Sequence, residues 1–489
     1  MATRQAAKGI EVRSIDWVPE DERHGRIWHQ SPLWFLGNFQ YFTIALGFIG
    51  PALGLSLGWS ILAGTLGILA GTVFMAFHAA QGPMLGLPQM IQSRAQFGYR
   101  GVVVPLVATL FTYMAFNVAD QVLLAEGLNG TFGWNPDVVA IVCAAGAGLL
   151  AIYGHDWVHR AFRALLLVSL PLMTIVTIGV ILGLGGGAPP QQDLGFAWAA
   201  FMAQFSAAAA YNITYAPYVS DYSRYLPKRT SARSIIASVF FGAAGSAIWL
   251  IALGSWLAVR LGAGDGLVGL QTAGNNVIGG LGDLAAFFSA AALAATMGMN
   301  AYGAMLSVLT GADSVRGIRP GRRARVLTIA VLTVGWFAVA QSISASAVST
   351  VFTSLTLMLY LLVPWTATNL VDFFFVRRGH YSIADLFTPR GIYGAWAWRG
   401  LAAYAAGFAA QVPFMVLPDL GGWSYTGPLA DQLSGVDVAW LVGLSVSAVV
   451  YLVLSRGIDV EAEQRLIAGD ELTAPAAIAE EERMAAVPA

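Results

Sequence analysis

An apolar run in the first third of the chain reads Thr112-Tyr113-Met114-Ala115-Phe116-Asn117-Val118-Ala119-Asp120-Gln121. Tyr113, Asn117, Asp120 and Gln121 stand at i, i+4, i+7 and i+8, so they share one face of a helix. An aromatic ring with an amide one turn away suits a flat heterocycle: the ring stacks, and the amide both donates and accepts. A carboxylate is costly at membrane depth. Asp120 reads either as a functional acid or as a structural acceptor for a neighbouring helix. A second stretch, Tyr211 to Arg229, carries Tyr211, Asn212, Thr214, Tyr215, Pro217 and Tyr218 and then passes into charge. Pro217 lacks a backbone donor, and freed backbone groups are tolerated in lipid only where they face protein or a cavity. This stretch reads as a kinked helix with interface aromatics or as a broken helix at a binding site.

Membrane helices must hold these residues. The 489 residues are 57% apolar, 12% aromatic and 11% charged, with a mean hydropathy of +0.65. Soluble domains carry about 25% charged residues, so the composition is that of an all-α polytopic membrane protein. Runs of roughly 20 apolar residues, enough to cross a bilayer, appear twelve times. They lie near 34–57, 59–80, 102–128, 137–153, 161–184, 196–219, 235–260, 281–310, 325–341, 346–372, 399–417 and 436–455. No alternating pattern suggests a β-barrel. The first 33 residues lack the apolar core of a signal peptide and are expected to form a cytoplasmic arm. Cys143 is the only cysteine, which excludes an intrachain disulfide and a cysteine-rich metal site.

Charge gives the orientation. With the N-terminus inside, 25 of the 26 Lys and Arg residues fall in inner segments, and only Arg260 falls outside. Twelve spans with both termini cytoplasmic satisfy this bias. Breakers then cluster in span one (Gly47, Gly50, Pro51 and Gly54) and span six (Pro217), five helices apart. That is the spacing of two inverted five-helix repeats with broken first helices. The expected division is a 1–33 arm, repeats at 34–184 and 196–372, two extra helices at 399–455, and an acidic 456–489 tail.

Other polar residues are weighed individually. Span eight holds Thr296, Asn300 and Tyr302 among alanines and methionines, which otherwise read as packing. His78 and Glu126 are expected at the membrane interfaces. Asp221 and Arg224, three apart at the inner end of span six, read as a solvated ion pair or as part of an inner gate. The sequence contains no Walker loop, no His-Glu-x-x-His and no nucleophile elbow. It therefore points away from an enzyme and from an ATP-driven pump. The Gly185 to Pro190 run reads as an outer turn.

Taken together, four motifs make the chain resemble the nucleobase–cation symporter family 1, in its purine–cytosine permease branch, over about residues 25–455. They are Trp34-x-x-x-Asn38 with Gly47 and Gly50; Gly86-Leu-Pro88-Gln89 through Ser93-Arg94 to Phe97-Gly98; Asp221-Tyr222-Ser-Arg224-Tyr225-Leu-Pro227; and Asn369-Leu-Val-Asp372 with Arg378-Gly379-His-Tyr381 and Gly391-Ile-Tyr393-Gly394. The resemblance implies a five-plus-five inverted-repeat transporter with two extra helices, working by alternating access on a heterocycle. It implies a substrate sandwich between Tyr113 and Tyr215, where relatives often have tryptophan, with Asn117 as the amide. Thr43, Gln121 and Asn300 are further candidates for substrate contact. Sodium-coupled relatives use span-eight hydroxyls, and here Ala291 to Thr296 retains only Thr296. The co-transported cation is thus a proton or sodium, with the proton preferred and Asp120 and Thr296 as coupling candidates. Arg94, Asp221 and Arg224 are candidates for a cytoplasmic gate.

The expected activity is import of a nucleobase or related heterocycle, of cytosine, purine, allantoin or hydantoin type, across the plasma (inner) membrane. Alternatives are a carrier of another ring compound, such as a vitamin precursor, and a receptor with a transporter's form. No cofactor, metal or nucleic acid is expected. The partners are the substrate and the bilayer, and a monomer is compatible with all of this.

Overall fold

The computed structural model describes residues 14–187, 195–318, 321–343, 347–417 and 424–467. The start of the arm, Pro189 and Pro190 of the expected outer turn, and the acidic tail beyond 467 lie outside the described residues. Fifteen principal helices carry the fold. They begin with α1 (Gln30–Asn38), α2 (Tyr41–Leu46), α3 (Leu57–His78), α4 (Val103–Phe132), α5 (Pro136–Tyr153), α6 (His155–Ile181), α7 (Trp198–Ile213) and α8 (Ala216–Ser223). They continue with α9 (Ala232–Arg260), α10 (Gly266–Val277), α11 (Leu281–Arg316), α12 (Arg322–Gln341), α13 (Ala347–Val371), α14 (Trp398–Gln411) and α15 (Ala439–Ser455). Eight helices among the described residues are long and apolar enough to cross a membrane, or ten if each of two sharply bent pairs is one span. Every one of the twelve apolar runs contains helix. However, α7, α8 and α14 are each shorter than a bilayer crossing requires.

Two details depart from expectation. The run at 399–417 stops being α-helical at Gln411, where Pro413 follows, and ends in a strand, β1 (Val416–Leu417), paired antiparallel with β2 (Tyr425–Thr426). Helix α10 was not anticipated, because its Gly, Gln, Thr and Asn content dilutes the apolar signal. Asp265 caps it, accepting from the backbone N–H groups of Leu267 and Val268 at 2.7 and 3.0 Å.

Both expected helix breaks are present, shifted from where the breakers sit. Span one bends by 56° at Phe39 and Gln40, between α1 and α2, well before Gly47. The Gln40 side chain accepts from the Phe42 N–H at 2.6 Å and caps α2. Span six breaks at Thr214–Tyr215, and Pro217 lies in the first turn of α8, where a missing N–H costs nothing. Gly47 instead permits close packing: a Cβ there would stand 2.4 Å from the Ile251 carbonyl of α9.

Small residues seat α3 against α7. A Cβ on Gly67 or Gly71 would come within 2.2 Å of the Phe205 or Ala209 carbonyl oxygen. Overpacking of this kind costs roughly 1–3 kcal/mol, and more where backbone must move. Gly71→Leu is expected to lower the melting temperature in detergent and to reduce the yield of folded protein. An unchanged melting curve would show that the α3–α7 interface yields freely.

Candidate functional site

The two breaks are tied to each other. Asn38 donates from Nδ2 to Asn212 Oδ1 at 2.8 Å and to the Ala243 carbonyl at 3.0 Å. Asn212 in turn donates to Thr72 Oγ1 at 2.6 Å. The Tyr211 hydroxyl meets Thr43 Oγ1 at 2.8 Å and accepts from Gln40 Nε2 at 2.9 Å, while the Tyr215 hydroxyl donates to the Gly37 carbonyl at 3.3 Å. On the other side of the break, Gln204 of α7 accepts from the Gly50 N–H at 2.6 Å and donates to the Leu46 carbonyl at 3.3 Å. Backbone freed by the breaks is thus met by side chains, as low-dielectric surroundings demand.

The predicted face of span three lies on α4 against α11, and Tyr113, Asn117, Asp120 and Gln121 are all buried. Asn300 is the hub. Its Nδ2 donates to Asn117 Oδ1 at 2.9 Å and to Asp120 Oδ2 at 3.2 Å, and its Oδ1 accepts from the Tyr218 hydroxyl at 3.0 Å. Asn117 donates to the Met297 carbonyl at 3.3 Å. Gly303 makes room for the Tyr113 ring, since a Cβ there would stand 2.6 Å from it. Gln121 is fully buried, and both its amide atoms stand without a hydrogen-bond partner among the described residues. Thr296 donates to the Ala292 carbonyl one turn back at 3.0 Å.

The aromatic arrangement differs from a simple pair. The ring edge-on to Tyr113 is Tyr218, at 4.4 Å between centroids, and Tyr218 also meets Tyr215 at 5.1 Å. Tyr215 stacks on Phe116 at 5.6 Å with 15° between planes. Tyr218, named in the sequence only as part of the aromatic stretch, and Phe116 thus adjoin the candidate residues Tyr113 and Tyr215. The signal for Tyr218 was available in the 4, 3 spacing of Tyr211, Tyr215 and Tyr218.

Each of the three gate candidates has partners of its own. Arg94, fully buried, donates from Nη2 to Asp313 Oδ2 at 2.7 Å and to Ser314 Oγ at 2.9 Å, and from Nη1 to the Leu386 carbonyl at 3.0 Å. Burial pulls the Arg94 guanidinium below its ordinary pKa, and Asp313 opposes this. Arg224 donates to the Ser14 carbonyl of the arm at 2.8 Å and to the Tyr302 hydroxyl at 3.1 Å. Asp221 accepts the Gln89 N–H at 2.9 Å. His78, the last residue of α3, is buried and stacked on Trp365 at 4.9 Å.

The motif residues Gln89, Asn369 and Asp372 are joined in one chain through Gln81 and Gln96. Gln89 Nε2 donates to Gln81 at 2.7 Å, Gln81 to Asn369 at 2.6 Å, Asn369 to Gln96 at 3.2 Å, and Gln96 to Asp372 at 2.7 Å. Asp372 pairs with Arg377 at 2.6 Å, and Arg377 reaches Glu463 at 2.8 Å. Among the described residues, no group of three or more His, Cys, Asp or Glu side chains is arranged to hold a metal ion.

Two broken helices with polar side chains at the breaks, surrounded by long apolar helices, define a membrane transporter fold. The same architecture is found in Mhp1, a nucleobase-cation-symport-1 family transporter solved in a closed conformation with bromovinylhydantoin bound. The match has a TM-score of 0.70 over 93% of this chain and 99% of that one, at 18% identity. The chain belongs to the permease family for cytosine/purines, uracil, thiamine and allantoin, whose model matches residues 17–443. It is 34% identical to YxlA of Bacillus subtilis (strain 168), classed with the purine-cytosine permeases, over 91% of this chain and 96% of that one. It is also 24% identical to the purine-cytosine permease fcyB of Emericella nidulans, over 92% and 89% respectively. The protein is thus an integral membrane protein whose relatives are named as permeases rather than enzymes.

Proposed function

We propose that the protein is a secondary active importer of a nucleobase or related heterocycle, with substrate held between α4 and the α7–α8 break. The single observation that carries this is the Asn300 hub, which sets two amides, a carboxylate and three tyrosine rings around one buried point. Amides can satisfy both donors and acceptors on a ring edge, and tyrosines supply stacking faces. Tyr218 occupies the space between Tyr113 and Tyr215, so substrate entry requires it to swing away and release Asn300. Gln121, with its amide unmatched, is the group best placed to gain a partner from a bound molecule. Thr43, linked to Tyr211, positions the α7 side of the site.

Twelve spans with both termini inside, two inverted repeats at 34–184 and 196–372, and residence in the plasma membrane complete the reading. The charge bias and the paired breaks support it. Coupling is assigned to a proton through Asp120, because Asp120 adjoins the hub while the stretch Ala291 to Thr296 keeps a single hydroxyl. Arg94, Asp221 and Arg224 act at the cytoplasmic mouth, where they tie the loop after α3 and the arm to α8 and α11.

A thermal-shift screen of the purified protein against nucleobases, hydantoins and azoles tests the site. Binding to the folded state raises its melting temperature by mass action. Tyr215→Ala removes a stacking face worth about 0.5–1.5 kcal/mol beyond its buried area, so affinity should fall at least about tenfold. An unchanged shift in Tyr215→Ala would remove Tyr215 from the site. Counterflow in proteoliposomes separates carrier from receptor, because a receptor gives none.

A further inference from the structure

The tyrosines of span six do not end at the central site. Tyr211, Tyr215, Tyr218, Tyr222 and Tyr225 follow one another at intervals of 4, 3, 4 and 3, a stripe along one side of the α7–α8 segment and the turn after it. All five are buried. Their rings and those of neighbouring helices form an unbroken aromatic series. Tyr211 meets Tyr215 at 5.4 Å, Tyr215 meets Trp34 at 5.9 Å, and Trp34 meets Tyr222 at 6.1 Å. Tyr222 then stacks on His155 at 5.7 Å and 26°, and His155 meets Tyr225 at 4.4 Å.

The series ends in a cavity of about 180 Å³ lined by His24, His29, His155, His159, Tyr222 and Tyr225. Four of the six histidines of the chain gather here, two from the arm and two from the start of α6, with Tyr222 and Tyr225 added by the end of α8 and the turn after it. The guanidiniums of Arg160 and Arg163 complete the wall, and Asp156 is engaged by His24 at 3.5 Å and His155 at 3.0 Å. No metal-holding arrangement exists among these described residues. What the cavity offers is ring faces, imidazole groups that donate or accept, and cations suited to ring carbonyl oxygens. That is the chemistry of the central site repeated at the mouth.

We propose that this cavity is a second, weaker station for the heterocycle, which leaves the central site along the tyrosine series and pauses here before release. The proposal rests on the transport reading and on the cytoplasmic placement of this end. Stacking tolerates sliding from one face to the next because each contact is similar in energy and weakly directional. The histidines and arginines then exchange ring hydrogen bonds for water at the exit.

The test uses the full-length protein in nanodiscs, with radiolabelled cytosine and hypoxanthine as probes, and the variants His159→Leu, Tyr225→Leu and the exposed Arg163→Gln. The native protein should show a tight binding phase and a second weak one. Each variant should lose the weak phase, keep the tight one, and slow net uptake about tenfold, the equivalent of one stacking contact. Retention of the tight phase shows that a variant is folded. A single phase in the native protein, or native uptake rates in all three variants, overturns the proposal. If Tyr215→Ala abolishes the tight phase while the cavity variants change nothing, the carrier reading stands and the second station falls. If neither probe nor any other nucleobase binds, both fall.

Discussion

Asp313→Ala is expected to destabilise the protein by about 3–5 kcal/mol, because it strands a buried cation. Arg94 is fully enclosed and Asp313 is its ion-pair partner at 2.7 Å. The surrounding groups are neutral: Ser314 Oγ, the Leu386 carbonyl and the Tyr99 ring, over which the guanidinium lies at 4.2 Å. Tyr99 donates at 2.9 Å to the backbone carbonyl of Asp313, a bond the substitution keeps, so the loss falls on Arg94. Melting in detergent, followed by intrinsic fluorescence, should show a drop of many degrees. The double variant Arg94→Met with Asp313→Leu should recover much of it, since removing both partners avoids the stranded charge. Transport by that double variant would make Arg94 an anchor for the loop after α3 rather than a moving gate. A single variant that melts with the native protein would show that neutral dipoles suffice for Arg94.

Asp120→Asn is expected to abolish concentrative, pH-driven uptake while leaving substrate binding and counterflow close to native. Asparagine keeps an acceptor for the Asn300 Nδ2 group, which now donates to Asp120 Oδ2 at 3.2 Å, so the hub should survive. What the variant loses is the group that gains and gives up a proton. Proteoliposomes carrying an imposed pH gradient, compared with the same vesicles at equal pH, measure the difference directly. Concentrative pH-driven uptake that persists in Asp120→Asn would end the proton assignment. Uptake that instead follows a sodium gradient would return attention to the α11 hydroxyls.

Helix type, the family and the polar face of α4 were readable because each depends on local pattern. Tyr113, Asn117 and Asp120 announce one face by spacing alone, and Asn300 was already a candidate. The breaks were readable as existing but not as placed. Backbone fails where partners can receive its groups, and for span one those partners are the local Gln40 and, far away in sequence, Tyr211 and Tyr215. Gly47 and Pro217 looked like the cause, yet one serves helix contact and the other begins a helix. The role of Tyr218 between Tyr113 and Tyr215 depends on how far α8 rotates after the break, which no periodicity reports. The partner of Arg94 was equally hidden, since Asp313 lies 219 positions away on a helix whose apolar run seemed to end earlier.

The amide series from Gln89 to Asp372 has a direction. Asp372, when ionised, is an acceptor only, so Gln96 must turn its NH2 group toward it and its oxygen toward Asn369. The same constraint passes to Asn369, then Gln81, then Gln89, and each amide is left a single orientation. One end of this row sits beside Asp221 at the foot of α8, and the other touches Arg377 and, through it, Glu463 of the C-terminal segment. Rotating Gln81, Asn369 or Gln96 alone breaks two bonds unless its neighbours rotate too. An ionised Asp372 thus holds the row in one setting, and neutralising Asp372 would lift the constraint that fixes its direction.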